Sequence, residues 1–170
     1  MRQNNHLLGA IGLAGFGVAL VIHILAVLGM DVSSQFPYVW SMHFAVLLYV
    51  AISAIYIWAA VGVPLRFDII RDHLPGWVTL GCVALMAYSI LNFVLAARLS
   101  SSGNASIVSG EYLLMSHGHI LAHLTESEYH LHKAYELRML SGGWMLFWCS
   151  CPQPTFCSGS TNRSDPQIVC

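Results

Sequence analysis

The stretch Leu7–Met30, LLGAIGLAGFGVALVIHILAVLGM, carries no Asp, Glu, Lys or Arg, and His23 is its one polar side chain. A helix rises 1.5 Å per residue, so about 20 apolar residues cross a hydrocarbon core of about 30 Å. This segment is long enough. Two more follow. Residues 44–63 have no charge, and residues 77–97 have none before Arg98. Pro37 falls between the first two stretches, and Pro64 and Pro75 bracket the gap between the second and third, where helix breaks belong. Tyr38, Trp40 and Trp77 stand near the ends, as interfacial aromatics do.

Composition agrees. The chain of 170 residues is 56% hydrophobic and 9% charged, with a mean hydropathy of +0.65. Soluble domains carry about 25% charged residues, so lipid is the natural solvent for this chain. A net charge of −1 without a basic stripe excludes nucleic acid as a partner. A cleaved signal peptide is disfavoured because its apolar core runs only about 7 to 15 residues. A soluble helical core is disfavoured by three uncharged stretches in succession.

Residues 1–98 therefore read as a three-span transmembrane bundle (7–30, 44–63 and 77–97). With the N-terminus cytoplasmic, Arg2, Arg66 and Arg71 fall inside against Arg98 outside. Between spans two and three, Phe67, Ile70 and Leu74 recur at helical spacing. A short surface helix and a tight turn both fit that segment.

Counting along each span puts His23 about 10 Å from the exit of the first. Tyr49 and Ser53 of the second span bracket that depth, and Ser89 and Asn92 of the third reach it. Polar groups in hydrocarbon face the bundle interior, so His23, Tyr49 or Ser53, and Asn92 are expected to form a polar node. One reading makes the node interhelical glue. The other makes it a proton, metal or haem site, with His23 and His43 as candidate ligands. The spans contain no acidic residue, which argues against a carboxylate relay. The first span also carries small-residue pairs, Ala10 with Ala14 and Gly15 with Ala19. This face suits packing against the other two spans or, alternatively, against another membrane subunit or a second copy of the chain.

Beyond Arg98 the character changes. Residues 99–110, with Ser100-Ser101-Ser102-Gly103-Asn104, read as a linker. Residues 111–143 read as a small extramembrane β-β-α unit, a hairpin turning near Gly118 and then a helix. Thr125-Glu126-Ser127-Glu128 matches a capping box that starts the helix at Glu126, and Ser141-Gly142-Gly143 supplies a stop. So small a unit is expected to lean on the membrane surface or the bundle. Its histidines, His117, His119, His123, His130 and His132, are candidate metal ligands, yet they lack the His-Glu-x-x-His spacing. Exposed histidines are the plainer reading.

Residues 144–148, Trp-Met-Leu-Phe-Trp, are too short to span and read as an interfacial aromatic anchor. Residues 149–170, with Cys149, Cys151, Cys157 and Cys170, read as a disordered tail whose cysteines pair, bind metal or lipid, or do nothing. Asn104-Ala105-Ser106 and Asn162-Arg163-Ser164 match the glycosylation sequon.

The sequence thus predicts a mainly α, integral membrane protein: a three-helix transmembrane bundle, a hairpin-plus-helix unit outside the cytoplasm and a tail. With no catalytic motif, the expected function is a non-enzymatic accessory, scaffold or sensing subunit with no cofactor. The alternatives are a haem- or metal-binding redox protein and an oligomeric transporter or channel subunit.

Overall fold

The computed structural model describes residues 2–61, 76–100 and 103–150. The chain is mostly helical, with one small antiparallel sheet. Helix α1 spans Arg2–Val27. It ends in a Schellman turn: Gly29 takes a φ of +79°, the Met30 N–H donates to the Leu25 carbonyl and the Gly29 N–H to that of Ala26. The connection is built from a short α2, Val32–Gln35, and a 3-10 turn, Pro37–Ser41. Helix α3 is Met42–Val61, and α4 is Gly76–Leu99. Among the described residues, three helices are long and apolar enough to cross a membrane: Leu7–Val27, Pro37–Ile55 and Gly76–Leu99, the second starting ahead of the expected 44–63. The proposed surface element at 65–74 and the tail from 151 onward lie outside the described residues.

The expected linker is instead half strand. β1 (Asn104–Val108) pairs with β2 (Glu111–Ser116), which pairs with β3 (His119–His123), all antiparallel and in the order β1-β2-β3. The expected hairpin is β2–β3. Both of its turn residues, His117 and Gly118, have positive φ, and so do Ser109 and Gly110 in the β1–β2 turn. Such two-residue turns match the twist of the flanking strands. The unit is thus β-β-β-α.

The larger correction concerns the last helix. α5 runs unbroken from Glu126 to Ser150, straight through Ser141-Gly142-Gly143, so the stop and the separate aromatic anchor at 144–148 are both overturned. α5 lies against α1 and α4 along its length and more lightly against α3. Trp144, Met145 and Trp148 are buried in the helical core together with Ala19, Ala26, Val46, Tyr49 and Leu137. Two glycines in a helix interior cost about 1 kcal/mol each. At Gly142 that cost is offset by close packing, because Ser141 beside it is fully buried and a Cβ on Gly142 would stand 2.8 Å from the Asn92 amide, whereas a Cβ on Gly143 would meet open space. Part of the small face of α1 serves the same contact: a Cβ on Gly15 would meet the Trp148 ring at 2.5 Å. Ala19 is buried as well, whereas Ala10 and Ala14 are exposed.

Antiparallel registration follows. Gly15 faces Trp148 and Gly29 faces Leu131 on α1, while Ser89 faces Gly142 and Asn92 faces Arg138 on α4. The sheet docks on the first half of α5. The Ala105 N–H donates to Glu136 at 2.7 Å, Leu113 and Leu114 are buried, and the Tyr112 and Tyr129 rings sit 5.0 Å apart.

Candidate functional site

His23 is a polar group of the helical core, and it is 3% exposed. Its position on α1 falls in the buried row that contains Ala19 and Ala26, the helical spacing of one face. Its Nδ1 lies 2.8 Å from the Ser141 hydroxyl of α5 and its Nε2 lies 2.6 Å from the Tyr88 hydroxyl of α4. Ser141 is also 3.3 Å from the Arg138 carbonyl one turn earlier. One proton arrangement satisfies the whole chain. Tyr88 donates to Nε2, Nδ1–H donates to Ser141, and Ser141 donates to the Arg138 carbonyl. A single imidazole thereby ties three helices together.

A second set of bonds flanks it. The Asn92 amide donates to the Arg138 carbonyl at 2.9 Å and accepts from Arg138 Nε at 2.8 Å. Ser89 donates to the Gly142 carbonyl at 3.0 Å. Asn92 is 2% exposed, and the Arg138 guanidinium answers its carbonyl, so this buried amide is satisfied on both sides. His23 and Asn92 meet around Gly142, where a Cβ would lie 2.8 Å from the Asn92 nitrogen and 3.7 Å from the His23 ring.

Of the expected node, His23 and Asn92 come together, but through α5 and not directly. Tyr49 and Ser53 are buried. Tyr49 lies farther along α5, with its ring 4.5 Å from that of Trp148. His43 stacks on Trp40 with ring centres 6.2 Å apart and meets Trp144 edge-on at 5.0 Å. Neither ring nitrogen of His23 is turned to it, since Ser141 and Tyr88 occupy both. Sequence reasoning missed Tyr88, Ser141, Arg138 and Gly142. The available signal was the spacing of Arg138, Ser141 and Met145, three and four residues apart on one helical face.

No protein-family model, curated protein or solved structure matches this chain. The site is therefore read from its own chemistry.

The outer histidines do not converge. His117 sits in a turn, His119 and His123 lie on the exposed β3, and His123 is 3.4 Å from Glu111 across the strand pair. His132 stands against Tyr135 with ring centres 6.0 Å apart. His130 reaches across to the α1–α2 connection, where its Nδ1 donates to Asp31 at 2.7 Å. The Asp31 carboxylate also caps α2, accepting from the Ser34 N–H at 3.1 Å and from the Ser33 hydroxyl at 2.6 Å, with the Ser34 hydroxyl on its other oxygen. Burial pushes the Asp31 carboxyl up, but the bonds from His130, Ser33 and Ser34 outweigh burial and hold it below its ordinary value. At the start of α5, the capping box is realised. The Thr125 N–H donates to Glu128 at 2.7 Å and the Glu128 N–H donates back to the Thr125 hydroxyl at 3.3 Å. The bonds its carboxylate accepts from the Thr125 N–H and hydroxyl hold Glu128 below the usual carboxylate range. Among the described residues, no three His, Cys, Asp or Glu side chains are grouped to hold a metal ion.

Proposed function

We propose that this chain is a non-enzymatic integral membrane protein, an accessory or scaffold subunit. In this reading α1, α3 and α4 cross the bilayer, α5 packs among them as the central helix, and the three-stranded sheet is presented outside the hydrocarbon. The observation that carries the reading is the use made of the interior polar groups. Both nitrogens of His23, both ends of the Asn92 amide and the Ser89 hydroxyl are engaged in bonds between helices. Such bonds specify how helices meet where apolar burial alone does not discriminate. A ligand or proton site instead presents a group to the incoming species.

The surface supports the membrane part. Leu13, Leu47, Leu80 and Ile90 are all more than 60% exposed, a greasy exterior that water would not tolerate. Tyr38 is 86% exposed and Trp77 69%, at the opposite ends where a headgroup layer would meet them. The presented surface has its own features. β1 and β3 are the edges of the sheet, and Ile107, Ile120 and Leu121 stand exposed on it. The β1 edge is partly covered, its Ala105 N–H donating to Glu136, so the β3 edge with its apolar side chains is the one that suits a protein partner. The excess of Arg2, Arg66 and Arg71 over Arg98 supports a cytoplasmic N-terminus with the sheet opposite.

The test combines extraction and spectroscopy. The protein is expected to stay in the membrane pellet through alkaline carbonate. Purified in mild detergent, it should carry neither a Soret band nor stoichiometric metal. Release by carbonate would overturn the membrane assignment. A Soret band or bound metal abolished by His23→Ala would establish the redox reading instead.

A further inference from the structure

The contact between α4 and α5 continues past the polar bonds to a pair of cysteines. Ser89 meets the Gly142 carbonyl. Two turns earlier on α4 stands Cys82, and two turns later on α5 stands Cys149. In antiparallel helices a step of seven residues in opposite directions returns to the same seam. Cys82 accordingly shares the inner face of α4 with Ser89, Asn92 and Ala96, and it is half-buried while Cys149 is exposed. The register set by Ser89 and Gly142 therefore places the two thiols at the same level of the α4–α5 contact. Both are free, and each belongs to a different helix.

We propose that Cys82 and Cys149 form a dithiol that a lipid-permeant disulfide oxidises to an intramolecular cross-link between α4 and α5. Cys149, the accessible member, attacks one sulfur of the oxidant and expels the other half as a thiol. Cys82 then attacks the Cys149 sulfur of the mixed disulfide and expels the second half. Two protein thiols are oxidised, one disulfide is reduced to two small thiols, and the two protons leave with them. Registration favours the second step over the capture of another oxidant molecule, because the Ser89, Asn92 and Arg138 bonds already hold the two helices at that spacing.

The test uses the full chain in detergent, treated with 4,4′-dithiodipyridine. In a variant with Cys151→Ser, Cys157→Ser and Cys170→Ser, the intact mass should fall by two hydrogens with no pyridyl group retained. Dithiothreitol should restore it. Adding Cys82→Ser to that background should leave one pyridyl group on Cys149. Two retained pyridyl groups, a disulfide-linked dimer or no reaction would overturn the proposal. Should the triple variant fail to fold, non-reducing peptide mapping of the unsubstituted protein decides the matter. A linked Cys82–Cys149 peptide supports the assignment, and a Cys149–Cys151 loop with free Cys82 refutes it.

Discussion

The two halves of α5 are held by different physics. From Glu126 to Arg138 the burial of Ala134 and Leu137 is joined by polar devices: a capping box, the His130–Asp31 pair, Glu136 on the sheet and Lys133 on Glu136 at 2.9 Å. From Ser141 to Trp148 it is held by fit, with small residues admitting neighbours and large aromatics filling what remains. His23 and Asn92 stand at the join. The comparison teaches that one helix need not have one source of stability, and that a glycine inside it, Gly142, sits where a neighbouring helix approaches closely.

The fit half should yield the largest effects. Gly15→Ala places a methyl against the Trp148 ring at 2.5 Å, whereas the same change at Gly17 meets open space. We expect Gly15→Ala to lose about 2–3 kcal/mol and Gly17→Ala to gain up to about 1 kcal/mol, read by denaturant unfolding in mixed micelles. Equal effects at the two positions would remove the case for close α1–α5 packing.

At the join, His23→Ala breaks two bonds between helices. The expected loss is about 1–3 kcal/mol, from roughly 0.6–1.7 kcal/mol for each bond in a membrane setting. A double-mutant cycle with Tyr88→Phe should show coupling. Strict additivity would mean that the His23–Tyr88 bond contributes nothing.

The polar half should respond more gently. Thr125→Ala removes the N-cap and should cost about 1 kcal/mol. Hydrogen exchange is expected to speed up at the first turn of α5 and leave the amides around Trp144 unchanged.

The smallest effect is in pH. Asp31 is held below its ordinary value of 3.8, so its contribution is fully present above that value and is lost as pH falls through the lower, folded one. Thermal unfolding from about pH 6 down to about pH 3 should show wild type losing an advantage over Asp31→Asn only at the acid end. An advantage that vanished near neutrality would point to another group.

Much of the architecture was legible because it depends on runs and local pairings. Uninterrupted apolar stretches set α1, α3 and α4, and the Thr125–Glu128 spacing set the start of α5. His-Gly marked one hairpin. Ser109-Gly110 carried the same signal for β1, but the serines before it read as a linker. The candidate site was half legible. Counting depth singled out His23 and Asn92, both buried, yet their shared partner lay on a helix whose charges at Glu136 and Arg138 disguised it as an outer element. Ser141-Gly142-Gly143 reads as a stop under local propensity, and only the neighbours packed on Ser141 and Gly142 reverse that reading.

By itself the sequence determined which segments are long and apolar enough to span a bilayer, because that depends on length and the absence of charge. It also determined where α5 begins, because a capping box is closed within four residues. Only the tertiary structure decided that α5 is the centre of the bundle, that the bonds of His23 are made to Tyr88 and Ser141, and that Cys82 shares a seam with Cys149. Those are contacts between residues far apart in the chain, and they form because antiparallel helices with small residues at the crossing can approach closely enough to align one register along both faces of α5.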